Sequence, residues 1–270
     1  MNRFNKYLEL PKEFRTSHNN CVFLINQIEE FVTDNLYDEL RKQIIEIKSE
    51  KEIKPEEHIF DFLLRTGRHK EYNEFVRNNL INGLLMDVCY FIQEALFCSL
   101  KRRLTVTFAL LRKPFVYDLL VFLRIMYEDD FLDKFNNQTV FDSTSLNNNE
   151  KKYLIAKSIP CLITKSITLN DIYDFIFSNN NPDSLINMTN KALHLSTTRN
   201  KFNTTEVQNL NFIFSNYDAN LSQWEYIYNR LPLLLIYYVE IIENLIFNIL
   251  DLPEEKYASR LLLRFNRLKC

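Results

Sequence analysis

Glycine is nearly absent from this sequence, with 2 residues in 270. Phosphate-binding loops of the GxxxxGK[ST] and GxGxxG types depend on glycine, because it reaches left-handed backbone conformations without steric cost. The scarcity therefore argues against nucleotide-binding loops and against folds built from short strands and tight turns. It favours long helices with short connections.

Metal-binding and redox motifs are also missing. No HExxH or GxSxG motif occurs, and the four histidines include no pair at i,i+4: His18, His58, His69 and His194. The five cysteines are odd in number and contain no CxxC pair, which is typical of free thiols in a reducing compartment. The N-terminal residues MNRFNKYLELPKEFRT have no apolar run of signal-peptide length. We therefore expect a cytoplasmic protein with no metal and no cofactor.

Neither sign of charge dominates the chain. Thirty-three Lys and Arg residues face 35 Asp and Glu residues, which gives a net charge of −2. This balance does not indicate a dedicated nucleic-acid binder, although a local RNA contact stays open. The abundance of Asn, Lys and Ile is typical of AT-rich bacterial or phage genomes.

The most apolar part of the chain runs from residue 80 to residue 128. Its periodicity predicts two long helices, at about 80–100 and 104–128, that are apolar around most of their circumference and so are buried. Polar residues interrupt each apolar run, which argues against a membrane span of about 20 apolar residues. Pro114 predicts a kink or a short break near Arg112 and Lys113.

The remaining pattern is also helical. Further helices are predicted at about 20–51, 150–158, 169–178, 182–193 and 222–250, and after Pro253. Ser222 and Glu225 form a capping box at the start of the 222–250 helix. Residues 129–150 are polar and predict a loop bordering two halves, and residues 195–215 predict a short hairpin or an extended loop. The sequence therefore predicts an all-α multi-helix bundle built around two long central helices. It also predicts a single elongated helical domain over 1–270, with subdivision near 129–150 as the alternative.

Four charged side chains lie on the helices predicted to be buried: Asp87, Glu94, Arg112 and Asp118. A buried charge costs several kcal/mol unless it is paired. Two interpretations follow. Either the four residues form a salt-bridged network in the core, or they line a cavity for a ligand or for catalysis.

The C-terminal helix is predicted to be amphipathic. Basic residues recur on it at helical spacing: Lys256, Arg260, Arg264 and Arg267. An apolar stripe lies beside them: Leu261, Phe265 and Leu268. The basic residues indicate either a solvated face or a binding stripe. The apolar stripe predicts a homodimer through this helix, since twofold dimers are the commonest oligomers.

The segment EALFCSLKRRLTVTFALLRKPFVYDLL, within residues 80–128, resembles the HEPN-type helical bundles of bacterial antiviral defence and toxin–antitoxin systems. Catalytic members of that group cut RNA with an Arg followed, after four to six residues, by a His. Here only three residues separate Arg65 from His69, and His194 has no arginine at the required distance upstream. The resemblance therefore implies a non-catalytic or divergent member.

Two function hypotheses stay open at this point. The first is a non-enzymatic helical interaction protein, an accessory or regulatory component of a bacterial defence or toxin–antitoxin system that acts through protein partners. The second is a divergent HEPN-like ribonuclease that uses His69 with Arg65, or His194 with Arg199.

Overall fold

The computed structural model of the protein describes residues 8–47, 54–198, 204–207, 209–212 and 215–268. Within these ranges all regular structure is helical, and no strand is present. The prediction of an all-α bundle is confirmed. The α-helices are α1 Arg15–Thr33, α2 Asp38–Arg41, α3 Ile59–Arg65, α4 His69–Leu100, α5 Leu104–Arg112, α6 Leu119–Tyr127, α7 Phe131–Asn137, α8 Asn148–Ser158, α9 Leu169–Ile176, α10 Leu185–Leu193, α11 Tyr217–Leu250 and α12 Glu254–Leu268.

Two long helices, α4 with 32 residues and α11 with 34, form the centre of the bundle. Helix α1 packs against both of them. Two long central helices were predicted and are present. The predicted helix at 80–100 lies within α4, but the second central helix is α11 and not the predicted helix at 104–128. Helix α4 begins 11 residues before the predicted start at residue 80, and residues 104–127 are divided between α5, α6 and a segment between them. Pro232 lies inside α11, which continues through it as one helix.

By length and composition alone, both α4 and α11 could cross a membrane. In the most apolar 18-residue stretch of each helix, the share that is buried within the protein is 50% for α4 and 67% for α11. Core helices of soluble proteins can be just as long and apolar, so the two helices are weak evidence for a membrane span. The cytoplasmic location stays a prediction.

Two predicted helix boundaries are wrong for a local reason. The helix predicted to continue to residue 51 ends at Thr33, because the Asp34 side chain accepts a hydrogen bond from the Leu36 amide at 2.8 Å and the chain turns. Helix α11 begins before the predicted cap at Ser222. Its cap is Asn216, whose side chain accepts a hydrogen bond from the Ala219 amide at 2.8 Å.

The two segments predicted to be irregular differ in outcome. Residues 129–150 contain α7 as well as turns, and one apolar core cluster includes residues from both sides of them, among them Phe122 and Ile155. The described part of 195–215 is an irregular loop. The Thr205 amide donates to the Thr197 carbonyl at 2.8 Å, and the Asn211 amide donates to the Leu195 carbonyl at 3.0 Å.

A buried chain of polar groups crosses the core between α1, α4 and α11. His18 Nδ1 lies 3.0 Å from the Tyr228 hydroxyl, which lies 2.9 Å from Ser99 Oγ. The Trp224 indole donates to the Ser99 carbonyl at 3.2 Å. Because buried polar groups are destabilising unless they are hydrogen-bonded, this chain favours one relative placement of the three helices.

Candidate functional site

Pro114 sets the local geometry of the candidate site. Proline lacks the amide hydrogen that a helix interior needs, and its ring collides with the preceding turn. The chain accommodates it with a π-helix, Lys113–Asp118, between α5 and α6. The Tyr238 hydroxyl on α11 donates a hydrogen bond to the Pro114 carbonyl at 3.1 Å. The irregularity therefore falls where the sequence predicted a kink or break, and π-helical turns are frequent at functional sites.

A cavity of about 500 Å³ lies beside the π-helix. Its apolar wall comes from α4, α5, α6 and the end of α10: Leu80, Leu84, Ala109, Val121 and Leu193. Its polar residues are Asp87, Arg112, Lys113, Tyr117, Asp118, Ser143 and Thr144. Three of the four predicted polar residues thus line one cavity. The fourth, Glu94, is exposed and accepts a hydrogen bond from Cys98 Sγ at 3.6 Å.

Asp118 is the most unusual group in this cavity. Its side chain is buried, with 4% of the residue exposed. Among the residues that the structure describes, no group donates a hydrogen bond to its Oδ2 atom. Burial raises the pKa of the Asp118 carboxyl to about 7, with Lys113 lowering it and Asp87 raising it further. Both the neutral and the ionised carboxyl are therefore populated near neutral pH.

Lys113 and Asp87 form an ion pair that connects the π-helix to α4. The two side chains are 39% and 41% exposed, so solvent reaches them far more than it reaches Asp118. The Lys113 ammonium also lies 4.9 Å from the centre of the Phe91 ring, in a cation–π contact. The cavity thus combines one paired, accessible carboxylate with one buried carboxyl.

Arg112 holds the wall of the cavity together. Its Nε donates to the Tyr117 hydroxyl at 2.9 Å, and its Nη1 donates to Asn190 Oδ1 at 2.6 Å and to Thr189 Oγ1 at 3.1 Å. These bonds tie α5 to α10 and to the π-helix. Arg112 therefore has a structural role here, toward neutral oxygen acceptors.

The predicted catalytic residues are not gathered in this cavity. Arg65 donates to both carboxylate oxygens of Glu57, at 2.6 and 2.7 Å, and these hydrogen bonds lower the pKa of Glu57 to about 2. His69 is exposed at the first residue of α4. His194 is exposed after α10, where its carbonyl accepts a hydrogen bond from the Asn211 side chain at 2.9 Å. Arg199 lies outside the described residues.

The arginines of α12 do not form an exposed stripe. Arg260 and Arg264 are buried, whereas Lys256 and Arg267 of the predicted set are exposed. Arg260 Nε donates to Glu243 Oε1 at 2.8 Å, and Arg264 donates to the other oxygen of Glu243. Arg260 also pairs with Glu30 on α1. These contacts place the two buried arginines of α12 against α11 and α1.

The apolar side chains of α12 are exposed or only partly buried. Phe265 is 57% exposed, and Leu261 and Leu268 are partly buried. Leu262 and Leu263 are also exposed, at 61% and 54%. The expectation of a solvated basic face is therefore corrected for Arg260 and Arg264. The homodimer through this helix stays a prediction.

Sequence reasoning missed Lys113 and Tyr117 in the cavity and Glu243 beneath α12. Glu243 had a visible signal, because it and Glu240 are the acids in the apolar run LPLLLIYYVEIIENLIFNIL. An acid inside such a run requires a partner. The pairing of Lys113 with Asp87 had no local signal, since the two residues are 26 positions apart.

Across the described ranges, no group of three or more His, Cys, Asp or Glu side chains is arranged to hold a metal ion. Comparison with protein-family models, with curated proteins and with solved structures found no match for this chain. The resemblance to HEPN-type bundles accordingly stays a prediction.

Proposed function

We propose that this chain is a non-enzymatic helical binding protein whose cavity beside the π-helix takes a small organic cation. The observation that supports this most strongly is the Asp118 carboxyl, which is buried and lacks a hydrogen-bond donor at Oδ2 within the described part of the chain. An unsatisfied buried polar group is destabilising. Groups with perturbed pKa values cluster at functional sites, because ligand binding and catalysis require buried charged or polar groups that folding alone does not require.

The chemistry of the ligand follows from the charges around Asp118. Lys113 is the nearby cation, and Asp87 already pairs with it. Arg112 donates to oxygens of Tyr117 and α10. A ligand that completes the site must therefore bring a hydrogen-bond donor, and a positive charge on it favours the ionised form of Asp118.

The apolar wall sets the rest of the ligand. Leucine, alanine and valine side chains surround the polar groups, and the volume of about 500 Å³ lies within the usual range for small-molecule sites. This combination suits a short alkyl chain that ends in a primary ammonium group. The chain would contact Leu80, Leu84 and Val121 while the ammonium donates to Asp118.

Calorimetric titration with n-butylammonium chloride tests the proposal, with n-butanol as the neutral match. Butylammonium should bind and butanol should not, and Asp118→Asn should abolish the binding. Affinity should be about tenfold weaker at pH 6 than at pH 8, because an acid with a pKa near 7 is mostly protonated at pH 6. Equal binding of the two compounds, or binding that survives Asp118→Asn, would overturn the proposal.

The biological setting rests on other grounds. An accessory role in a bacterial defence or toxin–antitoxin system, through protein partners, depends on the resemblance alone. The ribonuclease alternative needs a positioned Arg–His pair, and Arg65 is instead bound by Glu57. Incubation with total RNA separates the two. Cleavage that is lost in His69→Ala or His194→Ala would favour the ribonuclease.

A further inference from the structure

A second cavity, independent of the proposed cation site, lies between α12, α11 and the loop at residues 163–164. It is a groove of about 610 Å³. Its apolar lining comes mostly from α12: Ala258, Leu261, Leu262, Phe265 and Leu268, with Ile163 and Ile236 opposite. The lining of this groove is mostly hydrocarbon, and part of it is exposed to solvent. Such a groove favours an apolar occupant.

Two charged residues lie in this lining, and their hydrogen bonding differs. Glu240 is buried, and both oxygens of its carboxylate accept hydrogen bonds. It accepts hydrogen bonds from the amides of Ile163 and Thr164 at 2.9 and 3.2 Å, and from Thr164 Oγ1 at 2.6 Å. Glu240 therefore holds the loop against α11 and has little capacity left for a ligand.

Arg264 is the opposite case. It is buried, with 4% of the residue exposed, and its Nη2 donates to Glu243. Its Nε and Nη1 atoms are buried and, among the described residues, have no hydrogen-bond partner. A guanidinium with unsatisfied donors is destabilising unless an acceptor reaches them. The lining of an apolar groove thus contains cationic donors that no described residue satisfies.

We infer that this groove binds an alkyl carboxylate, with the carboxylate accepting from the Arg264 guanidinium and the hydrocarbon chain lying along the apolar side of α12. A hydrogen bond from a guanidinium to a carboxylate is charge-assisted and roughly twice as strong as one between neutral groups. The chain would cover Leu262 and Phe265, which are 61% and 57% exposed. The occupant is thus a small amphiphile with one anionic end.

The test compares sodium octanoate with 1-octanol by calorimetry on the full chain. A charge-assisted contact with Arg264 should favour octanoate by about tenfold or more. Arg264→Met should remove that preference while leaving the affinity for octanol unchanged. Equal affinities of the wild-type protein for octanoate and octanol would overturn the inference.

Two neighbouring leucines provide a matched pair of variants that does not disturb the buried ion pairs. Leu262 lines the groove and Leu263 does not, although both are exposed on α12. Leu262→Glu should weaken octanoate binding at least tenfold, and Leu263→Glu should leave it within about twofold. This pair decides the question even if circular dichroism shows that Arg264→Met does not fold. Equal effects of both variants would overturn the site.

The competing occupant is a second copy of the chain, which the apolar stripe of α12 predicts. Light scattering on the same variants distinguishes it. A dimer that dissociates in Leu262→Glu but not in Leu263→Glu, together with no octanoate binding, would assign the groove to a twofold interface and overturn the carboxylate site.

Discussion

Glu243 and Asp118 are both buried acids on long apolar segments, but they differ in the hydrogen bonds that their carboxyl groups accept. Glu243 has no exposed surface, and both of its carboxylate oxygens accept hydrogen bonds from arginines of α12. Asp118 lies beside an open cavity, and its Oδ2 atom accepts no hydrogen bond from any described residue. Burial raises the pKa of both groups, but at Glu243 the two arginines oppose the shift.

The difference separates a group that holds the fold from a group that is available for binding. A buried carboxylate with two arginine partners fixes the position of a helix, because any other placement leaves charges without partners. A buried carboxyl beside a cavity does not fix the position of a helix, and its ionised form destabilises the folded protein. The region around Glu243 is therefore structural, whereas the region around Asp118 is the better candidate for function.

The largest expected effect comes from Glu243→Ala, which leaves Arg260 and Arg264 buried without their shared partner. Removing one side of a buried ion pair lowers the free energy of unfolding by about 3–5 kcal/mol. Urea denaturation measures this change. The control is Glu225→Ala, an exposed acid on the same helix, which should change stability by less than about 0.5 kcal/mol. Similar values for both variants would show that Glu243 does not hold α12.

Asp118→Asn should change the free energy of unfolding in the opposite direction, toward greater stability. Because the folded protein binds a proton at Asp118 more tightly than the unfolded chain does, its stability falls as pH rises from about 4 to about 7. Asparagine removes this dependence, so the variant should be more stable than wild type at pH 8 by roughly 1–3 kcal/mol and similar at pH 4. Denaturation at pH 4, 6 and 8 measures the difference. A variant less stable than wild type at pH 8 would mean that Asp118 is paired.

Lys113→Met should act mainly on the pKa of Asp118. The lysine lowers that pKa, so its removal should move the Asp118 titration to higher pH. Carbon-detected NMR of the carboxyl group follows the titration directly. Lys134→Met, which removes a partly exposed lysine of α7 paired with Asp130, serves as the control and should leave the titration in place.

The smallest effect is expected from Asp87→Asn. It breaks the partly exposed ion pair with Lys113, and pairs of this kind contribute about 0–1 kcal/mol. The pKa of Asp118 should fall, because Asp87 raises it. Thermal unfolding and the same NMR titration report the two changes. A loss of stability comparable to that of Glu243→Ala would erase the contrast between the two regions.

The helical class and the grouping of three polar residues could be predicted from the sequence. Scarce glycine and continuous apolar periodicity leave few alternatives to a helical bundle. Asp87, Arg112 and Asp118 stood out because each is a charge in an apolar helical run. Glu94 was grouped with them wrongly. It lies seven residues beyond Asp87, which is about 10 Å along a helix, and so it is past the cavity.

The orientation of α12 could not be predicted. Periodicity identifies two faces of a helix, and the usual assumption buries the apolar one. Here the buried side contains Arg260 and Arg264, because they form ion pairs with Glu243 and Glu30. Both acids lie on helices that are distant from α12 in sequence. The early end of α1 and the early start of α11 were missed because single side chains, Asp34 and Asn216, determine them.

Trp224 gives the molecule a built-in optical reporter. It is the only tryptophan in the sequence, it is fully buried, and its indole donates to the Ser99 carbonyl of α4. Its fluorescence therefore reports specifically on whether α11 is packed against α4. Separation of the two helices should shift the emission to longer wavelength as water reaches the indole. The central packing can thus be followed in stopped-flow experiments without any label.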